Sequence, residues 1–500
     1  MPSPSEATDA VNAACGPDGL PRRRRELAAA AGIAVALAVP WLWPALVPAA
    51  WIGVAGLLAL VTGRRGWRSE SLVLAVGVVG LAIAFHWAPE VLAKAMKKPF
   101  AIGLAAILPI VLWDACRFAV PFWIAGRCGS DPRDAWLPAG LAAVAVEAAL
   151  ASTFPWKLGY TQVAWPILVQ AADLFGAEWT TFVLFAHAGA ILAVARLPWA
   201  RPTPLAVAAV AVCLANAAYG GWALRHWAAR AAAAPQLRVA LVQVDPDEDD
   251  ALDALRELTA RTRAAPGGPP ELICWPEGSG GSYEEGLGSL ADPAAVHARS
   301  RDPRRGLRPL PEPFAPLLLG GRIYRGYPER PRDIFQAALL LDTEERIAAC
   351  YHKRHLMPFG EYVPGADVVP EIRLHFPLET SFDVGTEATV LPCGERARIG
   401  GLLCYEDMVP SAARSLVAGG ANLLVSLING AAFTEPLTLR QHRQLAQLRA
   451  VENRRCLLRC AATGETCVVT PWGTIAARLP IHVRDAMVAD VPLLEDRSPA

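Results

Sequence analysis

Three side chains of complementary chemistry each follow an apolar, strand-like segment of the sequence. Glu277 comes after ELICWP, Lys353 after RIAACYH and Cys404 after RIGGLL. A cysteine thiolate is a nucleophile, a glutamate can take the thiol proton, and a lysine stabilises both the thiolate and a developing oxyanion. Because α/β folds place their sites at strand ends, we expect the three residues to converge on one edge of a sheet. The backbone N–H of Tyr405 would supply a second oxyanion donor, and losing one such donor costs about 10²–10³ in rate.

Each of the three residues also has a more ordinary structural role. Glu277 would cap the turn that follows it, Lys353 would be one more exposed base, and Cys404 would be a small buried residue. For a single residue of each type the ordinary role is the more frequent one. Only the three together, in matching sequence surroundings, favour catalysis.

The three residues lie where strand-like and helix-like segments alternate, from residue 236 onward. Short β-branched runs predict strands, and two segments with helical spacing of leucine predict amphipathic helices. This alternation over about 260 residues predicts one α/β domain with its own core at 236–492. The predicted strands are 237–244, 271–278, 317–324, 335–342, 346–353, 397–406 and 422–430, and the predicted helices are 247–261 and 436–456.

The first half of the chain is too apolar for a soluble globule. The 500 residues are 53% hydrophobic with a mean hydropathy of +0.29, and the long apolar runs precede Pro235. About 20 apolar residues cross the roughly 30 Å of hydrocarbon in a bilayer. We therefore predict an N-terminal tail at 1–26 and a transmembrane domain of about seven helices at 27–230. The prolines between residues 40 and 48 would either break the first two spans into a hairpin or distort one long helix. The predicted spans are 27–40, 42–62, 71–88, 100–125, 136–154, 179–197 and 203–223.

The placement of arginine predicts the orientation of these spans. Cytoplasmic loops are enriched in Lys and Arg, and the arginines beside the predicted spans all fall on one side of the membrane. An odd number of spans then puts everything after Trp222 on the opposite, extracytoplasmic face. Lys94, Lys97 and Lys98 go against this pattern. The arginines are Arg22–Arg25, Arg64, Arg65, Arg68, Arg127, Arg133, Arg196 and Arg201.

The segment FPWKLGYTQ, residues 154 to 162, differs from the rest of the membrane half. Aromatic residues beside Lys157 are typical of the water–lipid interface, where Trp and Tyr anchor membrane proteins. The alternative is an entrance for substrate. We favour the aromatic belt.

Charge balance and ligand spacing argue against nucleic acid and metal as partners. The 47 basic and 47 acidic residues balance, so no excess of positive charge favours nucleic acid. The eleven cysteines and nine histidines contain no CxxC, no HExxH and no other metal-binding spacing. We therefore expect no metal and no cofactor, and we expect most cysteines to be small buried hydrophobic residues.

The sequence around the three candidate residues resembles a known superfamily. CWPEGS, YHKRHLMPFGEYVP and GGLLCYED, in this order, are similar to the Glu, Lys and Cys motifs of the carbon–nitrogen hydrolase (nitrilase) superfamily. Together with FPWKLGYTQ in an apolar N-terminal half and with QHRQLAQLRAVENRRCLLRCAATG at 441–464, they resemble the apolipoprotein N-acyltransferases. The resemblance extends from about residue 27 to about residue 490.

This resemblance implies a nitrilase-like α/β domain, an αββα sandwich, on a multi-span α-helical membrane domain. It implies a ping-pong reaction in which Cys404 takes an acyl chain from a phospholipid as a thioester. The chain then passes to the α-amine of the N-terminal diacylglyceryl-cysteine of a lipoprotein. Glu277 matches the family's general base and Lys353 its oxyanion-stabilising cation. Glu361 and Glu406 match the supporting carboxylates, and we expect Glu406 to orient Lys353 or its neighbours.

The same resemblance implies a monomer in the bacterial inner membrane, surrounded by membrane lipid, with its catalytic domain on the periplasmic side. A two-chain lipid donor does not readily leave a bilayer. A hydrolase-type site held at the membrane surface would reach such a lipid without removing it from the bilayer.

The sequence departs from the acyltransferase pattern in three places. NGAAF has Gly430 where the family has an acid and Ala432 where it has a tryptophan, and ATG at 462–464 replaces Asn-Asn-Gly. The chain ends at Ala500 without the expected closing membrane helix. These departures leave acceptor recognition open. The alternatives are a membrane-anchored amidase, an acyltransferase for a different amine, and a non-enzymatic protein that binds lipid or a partner.

Overall fold

The computed structural model describes most of the chain. The described residues are 22–64, 66–128, 131–150, 152, 154–196, 201–245, 248–280, 282–285, 310, 312–325, 333–376, 382–431, 433 and 435–496. Most of the predicted N-terminal tail, together with Arg65 and Ala432, therefore lies outside the described residues.

The described part of the first half is helical. In chain order the helices are α1 (Arg22–Leu42), α2 (Val47–Val61), α3 (Trp67–Ala84), α4 (Ala88–Ala95), α5 (Phe100–Cys128), α6 (Trp136–Ala149), α7 (Pro166–Val169), α8 (Ala172–Phe175), α9 (Glu178–Arg196) and α10 (Pro204–Ala233). Each of the predicted spans coincides with one of these helices. Five of them, α1, α3, α5, α9 and α10, are long and apolar enough to cross a membrane. Helices α2 and α6 are shorter, at 15 and 14 residues.

The first two predicted spans form a hairpin of two separate helices rather than one distorted helix. Helix α1 ends at Leu42 and α2 begins at Val47. Pro48 lies in the first turn of α2, where a missing N–H removes no helical hydrogen bond. Pro40 lies near the end of α1, and the two helices pack against each other.

The second half folds into two sheets that pack face to face, with helices on the outer faces, which is the expected αββα sandwich. Its strands are β1 (Gln236–Gln243), β2 (Leu272–Cys274), β3 (Ser282–Glu285), β4 (Leu317–Arg325), β5 (Asp333–Leu341), β6 (Ile347–His352), β7 (Leu391–Cys393), β8 (Ala397–Leu403), β9 (Leu423–Ile428), β10 (Leu457–Ala461), β11 (Cys467–Val469), β12 (Ile475–Arg478) and β13 (Asp485–Pro492). One sheet has the order β13-β1-β2-β4-β5-β6, with β3 beside β4, and the other has the order β12-β11-β10-β9-β8-β7. The neighbours β1, β2 and β4 run parallel, as do β8, β9 and β10.

The main core lies between the two sheets and under the helices that cover them. Helix α11 (Ala251–Thr262) packs on the first sheet, and helices α12 (Pro410–Ala418) and α13 (Pro436–Asn453) pack on the second. Gly401 in β8 allows the sheets to approach closely, because an added Cβ would lie 3.2 Å from the Cβ of Ala338 in β5. The sheets therefore hold the ends of their central strands at fixed positions.

Helix α13 joins the second, α/β half of the chain to the helical membrane half. Its leucines predicted one buried stripe, but the helix is buried on nearly all sides because the second sheet covers one face and the membrane helices cover another. Gln441 Oε1 accepts a hydrogen bond from Trp87 Nε1 at 2.8 Å, and Gln441 Nε2 donates to the carbonyl oxygen of Ala84 at 2.9 Å.

Two arginines of the α13 region extend this connection. Arg449 donates to the hydroxyl of Tyr160 at 3.0 Å, and Arg454 donates to Asp173 Oδ2 at 2.6 Å. Both arginines are fully buried, so their charges depend on these partners.

The segment FPWKLGYTQ does not form the lipid-facing aromatic belt that the sequence favoured. Its second half, Leu158–Gln162, is a buried 3₁₀ helix. A Cβ added at Gly159 would lie 2.1 Å from Thr180 Oγ1, so this turn packs directly on α9. Trp156 Nε1 donates to Asp114 Oδ2 of α5 at 3.1 Å. The prediction was wrong because the segment fills the space between the membrane helices and the α/β half.

Candidate active site

Glu277 follows strand β2 and is 6% exposed. Its backbone lies against β4, because a Cβ added at Gly320 would lie 2.6 Å from Glu277 Cα. Glu277 Oε2 accepts a hydrogen bond from the backbone N–H of Asn429 at 3.2 Å, and Oε1 accepts from Lys353 Nζ at 3.4 Å. The carboxylate therefore connects the ends of β2, β6 and β9.

Lys353 directly follows strand β6 and lies between two carboxylates. Its Nζ donates to Glu361 Oε1 at 2.7 Å as well as to Glu277, and the side chain is 1% exposed. Glu361 is itself held by the backbone N–H of Met357, which donates to Oε2 at 2.7 Å. Burial lowers the pKa of Lys353, but the two carboxylates together raise it above its ordinary value. Lys353 is therefore a fixed ammonium group and not a proton acceptor.

Cys404 is the first residue of a 3₁₀ turn, Cys404–Met408, that follows strand β8. Its φ of +45° lies in the left-handed region, which non-glycine residues rarely adopt. Strained backbone of this kind clusters at functional sites. The thiol donates to the carbonyl oxygen of Asn429 at 3.8 Å, while the N–H of the same residue binds Glu277. One peptide segment after β9 thus contacts both the thiol and the carboxylate.

The charges of the site oppose a preformed thiolate. Burial, followed by Glu277, raises the pKa of the Cys404 thiol above its ordinary value, and Lys353 only partly offsets this. Burial likewise raises the pKa of Glu277, against the attraction of Lys353. The resting site is therefore a neutral thiol beside a carboxylate of increased basicity, which is suited to proton transfer during nucleophilic attack.

Glu406 binds the neighbours of Lys353 rather than its ammonium group. The carboxylate is fully buried and joins the end of β6 to the end of β8. It therefore fixes the backbone next to Lys353 and next to Cys404. Its Oε1 accepts from Tyr351 Oη at 2.7 Å, Arg354 N at 2.8 Å and His355 N at 3.1 Å, and its Oε2 accepts from Leu403 N at 3.0 Å.

A second buried carboxylate, Asp407, was not singled out in the sequence. Its Oδ1 accepts from His442 Nε2 at 2.7 Å, and its Oδ2 accepts from Ser426 Oγ at 2.9 Å and from Arg459 Nε at 3.0 Å. Burial raises the pKa of Asp407, but His442 and Arg459 lower it to about 2. The available signal was a polar residue within each of two apolar strands, β9 and β10, and a histidine in a helix that faces them.

Cys404 opens into an apolar cavity of about 340 Å³ between the two halves. Helices α3 and α5 form its membrane side, and α13 contributes a polar strip that contains His442. Leu104 and Leu108 of α5 line the cavity and are 45% and 58% exposed. The cavity is therefore open toward the outer surface of the membrane helices.

A second cavity of about 1140 Å³ lies on the other side of Trp156 and Tyr405, which line both cavities. Its wall mixes polar and apolar groups from the two halves. The charged residues of this wall are Arg117, Glu147, Lys157, Arg354, Asp367, Arg373 and Asp383. The thiol of Cys404 thus lies near the boundary between an apolar cavity and a partly polar one.

The NGAAF segment contributes backbone groups to the site instead of the acid seen in the acyltransferase pattern. A Cβ added at Gly430 would lie 2.8 Å from Leu439 and 2.9 Å from Thr463 Oγ1, so the packing excludes a larger side chain here. Among the residues that the structure describes, no group of three His, Cys, Asp or Glu side chains could hold a metal ion. Six of the ten described cysteines are buried, namely Cys274, Cys393, Cys404, Cys456, Cys460 and Cys467.

Two family models match the chain. The model of the carbon-nitrogen hydrolases matches residues 238–495, and the model of the apolipoprotein N-acyltransferase N-terminal domain matches residues 31–190. The first match covers the two sheets except for the first two residues of β1, and the second covers the latter part of α1, all of α2 to α8 and most of α9.

Full-length relatives share this arrangement. An apolipoprotein N-acyltransferase of Geobacter metallireducens is 29% identical, over 96% of this chain and 92% of its own length. One of Azotobacter vinelandii is 30% identical, over 96% of this chain and 91% of its own length. Among solved structures, a nitrilase-superfamily protein of Saccharomyces cerevisiae is 19% identical with a TM-score of 0.37, over 51% of this chain and 90% of its own. An amidase from Nesterenkonia in complex with acrylamide is 22% identical with a TM-score of 0.35, over 51% and 91%.

Proposed function

The chain belongs to the apolipoprotein N-acyltransferase family, and we propose that Cys404, Glu277 and Lys353 carry out its acyl transfer. The enzyme N-acylates lipoproteins with a phospholipid as the acyl donor. The observation that carries the proposal is the convergence of a thiol, a basic carboxylate and a fixed ammonium group, with the thiol residue lining an apolar cavity.

In the first half-reaction Cys404 becomes acylated. Its Sγ attacks the ester carbonyl carbon of the phospholipid while Glu277 takes the thiol proton. The ammonium group of Lys353 and the backbone N–H of Tyr405 stabilise the oxyanion. The carbon–oxygen bond then breaks, Glu277 returns the proton to the leaving oxygen, and a lysophospholipid departs from the thioester.

In the second half-reaction the α-amine of the diacylglyceryl-cysteine attacks the thioester carbonyl carbon. A carbon–nitrogen bond forms, the carbon–sulfur bond breaks, and Glu277 passes a proton from the nitrogen to the sulfur of Cys404. Glu361 and Glu406 support both steps by holding Lys353 and the backbone around it. The missing side chain at Gly430 makes the acceptor contacts of this chain different from those of the family pattern.

The apolar cavity is suited to the acyl chain of the donor. Its opening between α3 and α5 faces the surface that the bilayer would cover, so a lipid reaches Cys404 without its chains crossing water. The polar second cavity beyond Trp156 and Tyr405 accommodates the head group of the same lipid. The thiol then meets the ester at the boundary between chain and head group.

The catalytic half lies on the extracytoplasmic side in this proposal. The ion pairs Arg64–Glu26 and Arg127–Glu70 lie at helix ends far from the catalytic half, whereas the contact of Trp87 with α13 marks the near end. Enrichment of arginine at the far end supports a cytoplasmic location for it. The enzyme works as a monomer in the bacterial inner membrane and takes no nucleic acid.

Native Cys128 reports this orientation because it is exposed beside Arg127. In a variant with Cys128 as its only cysteine, a membrane-impermeant maleimide should react only after the membrane is permeabilised. In an otherwise cysteine-free variant, Val368→Cys on the catalytic half should react in spheroplasts without permeabilisation. The reverse pattern would place the catalytic half in the cytoplasm.

The triad is tested by trapping the acyl-enzyme. Purified full-length enzyme in vesicles of phospholipid with a labelled acyl chain should carry the label as a thioester that hydroxylamine removes. Cys404→Ala and Cys404→Ser should lose the labelled band, and Cys128→Ala serves as the matched control that keeps it. A labelled band that persists in Cys404→Ala would refute the assignment. Release of free fatty acid without lipoprotein acylation would instead identify an amidase-type hydrolase.

A further inference from the structure

The pair formed by His442 and Asp407 is not used in the mechanism above, although it lies beside the reacting groups. Asp407 is the fourth residue of the same 3₁₀ turn that begins with Cys404, which places it about 6 Å farther along the turn. His442 lines the apolar cavity together with Cys404. The chain therefore has a titratable group in the wall of its own acyl site.

The hydrogen bonds of the pair fix which nitrogen of His442 is available. Asp407 has a lowered pKa and also accepts from Ser426 and Arg459, so it is an ionised acceptor. The Nε2 of His442 must then donate to Asp407 Oδ1. In the part of the chain that the structure describes, no protein group bonds to Nδ1 of His442, so this nitrogen has its lone pair available to a ligand.

Counting protons shows why the second half-reaction needs such a group. An α-amine has a pKa of about 8, so near pH 7 the acceptor is mostly an ammonium ion. Its nitrogen must lose two protons before it becomes an amide nitrogen with one. Glu277 conveys one of them to the sulfur of Cys404. The other must leave the nitrogen before it attacks, and the surrounding cavity is largely apolar.

We propose that His442, held by Asp407, is the general base that takes the first proton from the acceptor's ammonium group. Nδ1 of His442 accepts this proton, and the carboxylate of Asp407 stabilises the resulting imidazolium. The neutral amine then attacks the thioester, and Glu277 takes its second proton as the carbon–sulfur bond breaks. The imidazolium releases its proton to water, so atoms and charges balance over the cycle. This assignment rests on the proposed role of Cys404.

The other charges near His442 do not replace it. Glu277 is bound to Lys353 and passes a proton to the sulfur of Cys404 in the proposed mechanism. Asp114, across the cavity, is paired with Arg117 at 2.8 Å. His86 also lines the cavity but lies 3.5 Å from Glu435, and its side chain is 51% exposed. Among the described residues, the remaining ionised group that contacts the pair is Arg459, which binds Asp407.

The test separates the two half-reactions in His442→Gln. Gln Nε2 can still donate to Asp407 but cannot take a proton. The enzyme is first acylated with labelled phospholipid, and a synthetic diacylglyceryl-cysteine peptide is then added in a single-turnover experiment. We expect acylation at the wild-type rate and transfer slowed by about 10² near pH 7, because general base catalysis contributes about 10²–10⁴. The deficit should shrink above about pH 8, where the amine is already neutral.

Two further variants guard against a purely structural effect. His226→Gln, at an exposed position of helix α10, makes the same chemical change outside the cavity and should behave as wild type. In His442→Ala, added imidazole should restore transfer without changing acylation. Transfer at the wild-type rate in His442→Gln overturns the inference, and so does an equal loss in both half-reactions or a deficit that is independent of pH. Absence of an acyl-enzyme in the wild type would refute the proposed role of Cys404 instead.

Discussion

Cys404, the proposed nucleophile, lies in surroundings that disfavour its reactive thiolate form. Burial and the carboxylate of Glu277 both raise the pKa of its thiol. A raised pKa means that less thiolate is present at any given pH, so the thiol reacts only when a base takes its proton during attack. Such a site protects the thiol from small electrophiles while a bound ester can still be attacked.

Alkylation of Cys404 by a small neutral haloacetamide tests whether the pKa of its thiol is raised. An unperturbed thiol has a pKa of about 8.5, and the pKa of Cys404 lies above that value. We therefore expect the alkylation rate to rise with pH without a plateau below about pH 9. In Glu277→Gln the alkylation rate at a fixed pH should rise, since a negative charge beside the thiol is removed. Acyl-enzyme formation should fall by about 10²–10⁴ in the same variant, since its base is lost.

Peptide mass spectrometry of Cys404 against time measures the first rate, and labelled phospholipid measures the second. The opposite direction of the two effects is the sign that Glu277 acts as a base and not as a structural partner. Slower alkylation in Glu277→Gln would mean that Glu277 already deprotonates the resting thiol.

The sequence predicted that Glu277, Lys353 and Cys404 converge, because each follows a strand within a recognisable local motif, and the structure brings them together. Sequence reasoning did not find the pair of Asp407 and His442. Its contacts come from a turn, two strands and a helix that are widely separated in the chain, and hydrogen bonds of this kind leave no local pattern. The structure also places Glu406 on the backbone beside Lys353, a choice that the sequence left open.

At the scale of elements, the long buried strands were the most predictable feature of the catalytic half. β1, β4, β5, β8 and β9 coincide with predicted segments because each is a largely apolar run. Six strands, β3, β7, β10, β11, β12 and β13, were not predicted, and four of them, β3, β7, β11 and β12, have only three or four residues, which carry too little periodicity. Helix α13 was predicted, but its burial on both sides was not, since arginines within it suggested an exposed face.

Arg449 in α13 and Arg454 directly after it are buried because they bind the membrane half, and Arg454→Ala should therefore loosen the contact between the halves. Arg454 is fully buried and donates to Asp173 Oδ2 at 2.6 Å and to the carbonyl oxygen of Gln170 at 2.9 Å. Removing one partner of a buried ion pair costs about 3–5 kcal/mol because the other charge stays buried. We expect a fall of this size in the free energy of unfolding, measured by denaturant titration in detergent.

Arg230→Ala is the matched control, because Arg230 pairs with Asp496 at an exposed position. Exposed pairs contribute about 0–1 kcal/mol, so this variant should stay close to wild type. The double variant Arg454→Ala with Asp173→Asn should lose less than the sum of the two single variants. Equal losses in Arg454→Ala and Arg230→Ala would contradict a buried lock between the halves.

At the scale of the whole molecule, sequence patterns predicted each half but not the way the halves meet. The contact of Trp87 with Gln441 joins residues 354 positions apart, and that of Arg454 with Asp173 joins residues 281 positions apart. The wrong assignment of FPWKLGYTQ to a lipid-facing belt has the same cause. A segment rich in Trp and Tyr satisfies its polar atoms equally well at a lipid interface and in a polar seam between domains. Only the tertiary structure distinguishes the two.

Both halves line the apolar cavity beside Cys404, and the effect of the cavity on donor choice can be measured. Ala82 of α3 lines the cavity and is exposed at its opening, so Ala82→Trp should narrow the path of the acyl chain. We expect acyl-enzyme formation to slow most for donors with long chains, which moves the preference toward shorter ones. A panel of phospholipids that differ only in chain length measures this, with the yield of labelled thioester as the readout.

Ala75→Trp is the control, because Ala75 is exposed on nearly the same face of α3, two turns or about 10 Å from Ala82, and does not line the cavity. An equal loss at every chain length would show that the cavity does not hold the acyl chain, and the donor would then have to reach Cys404 by way of the polar cavity beyond Trp156.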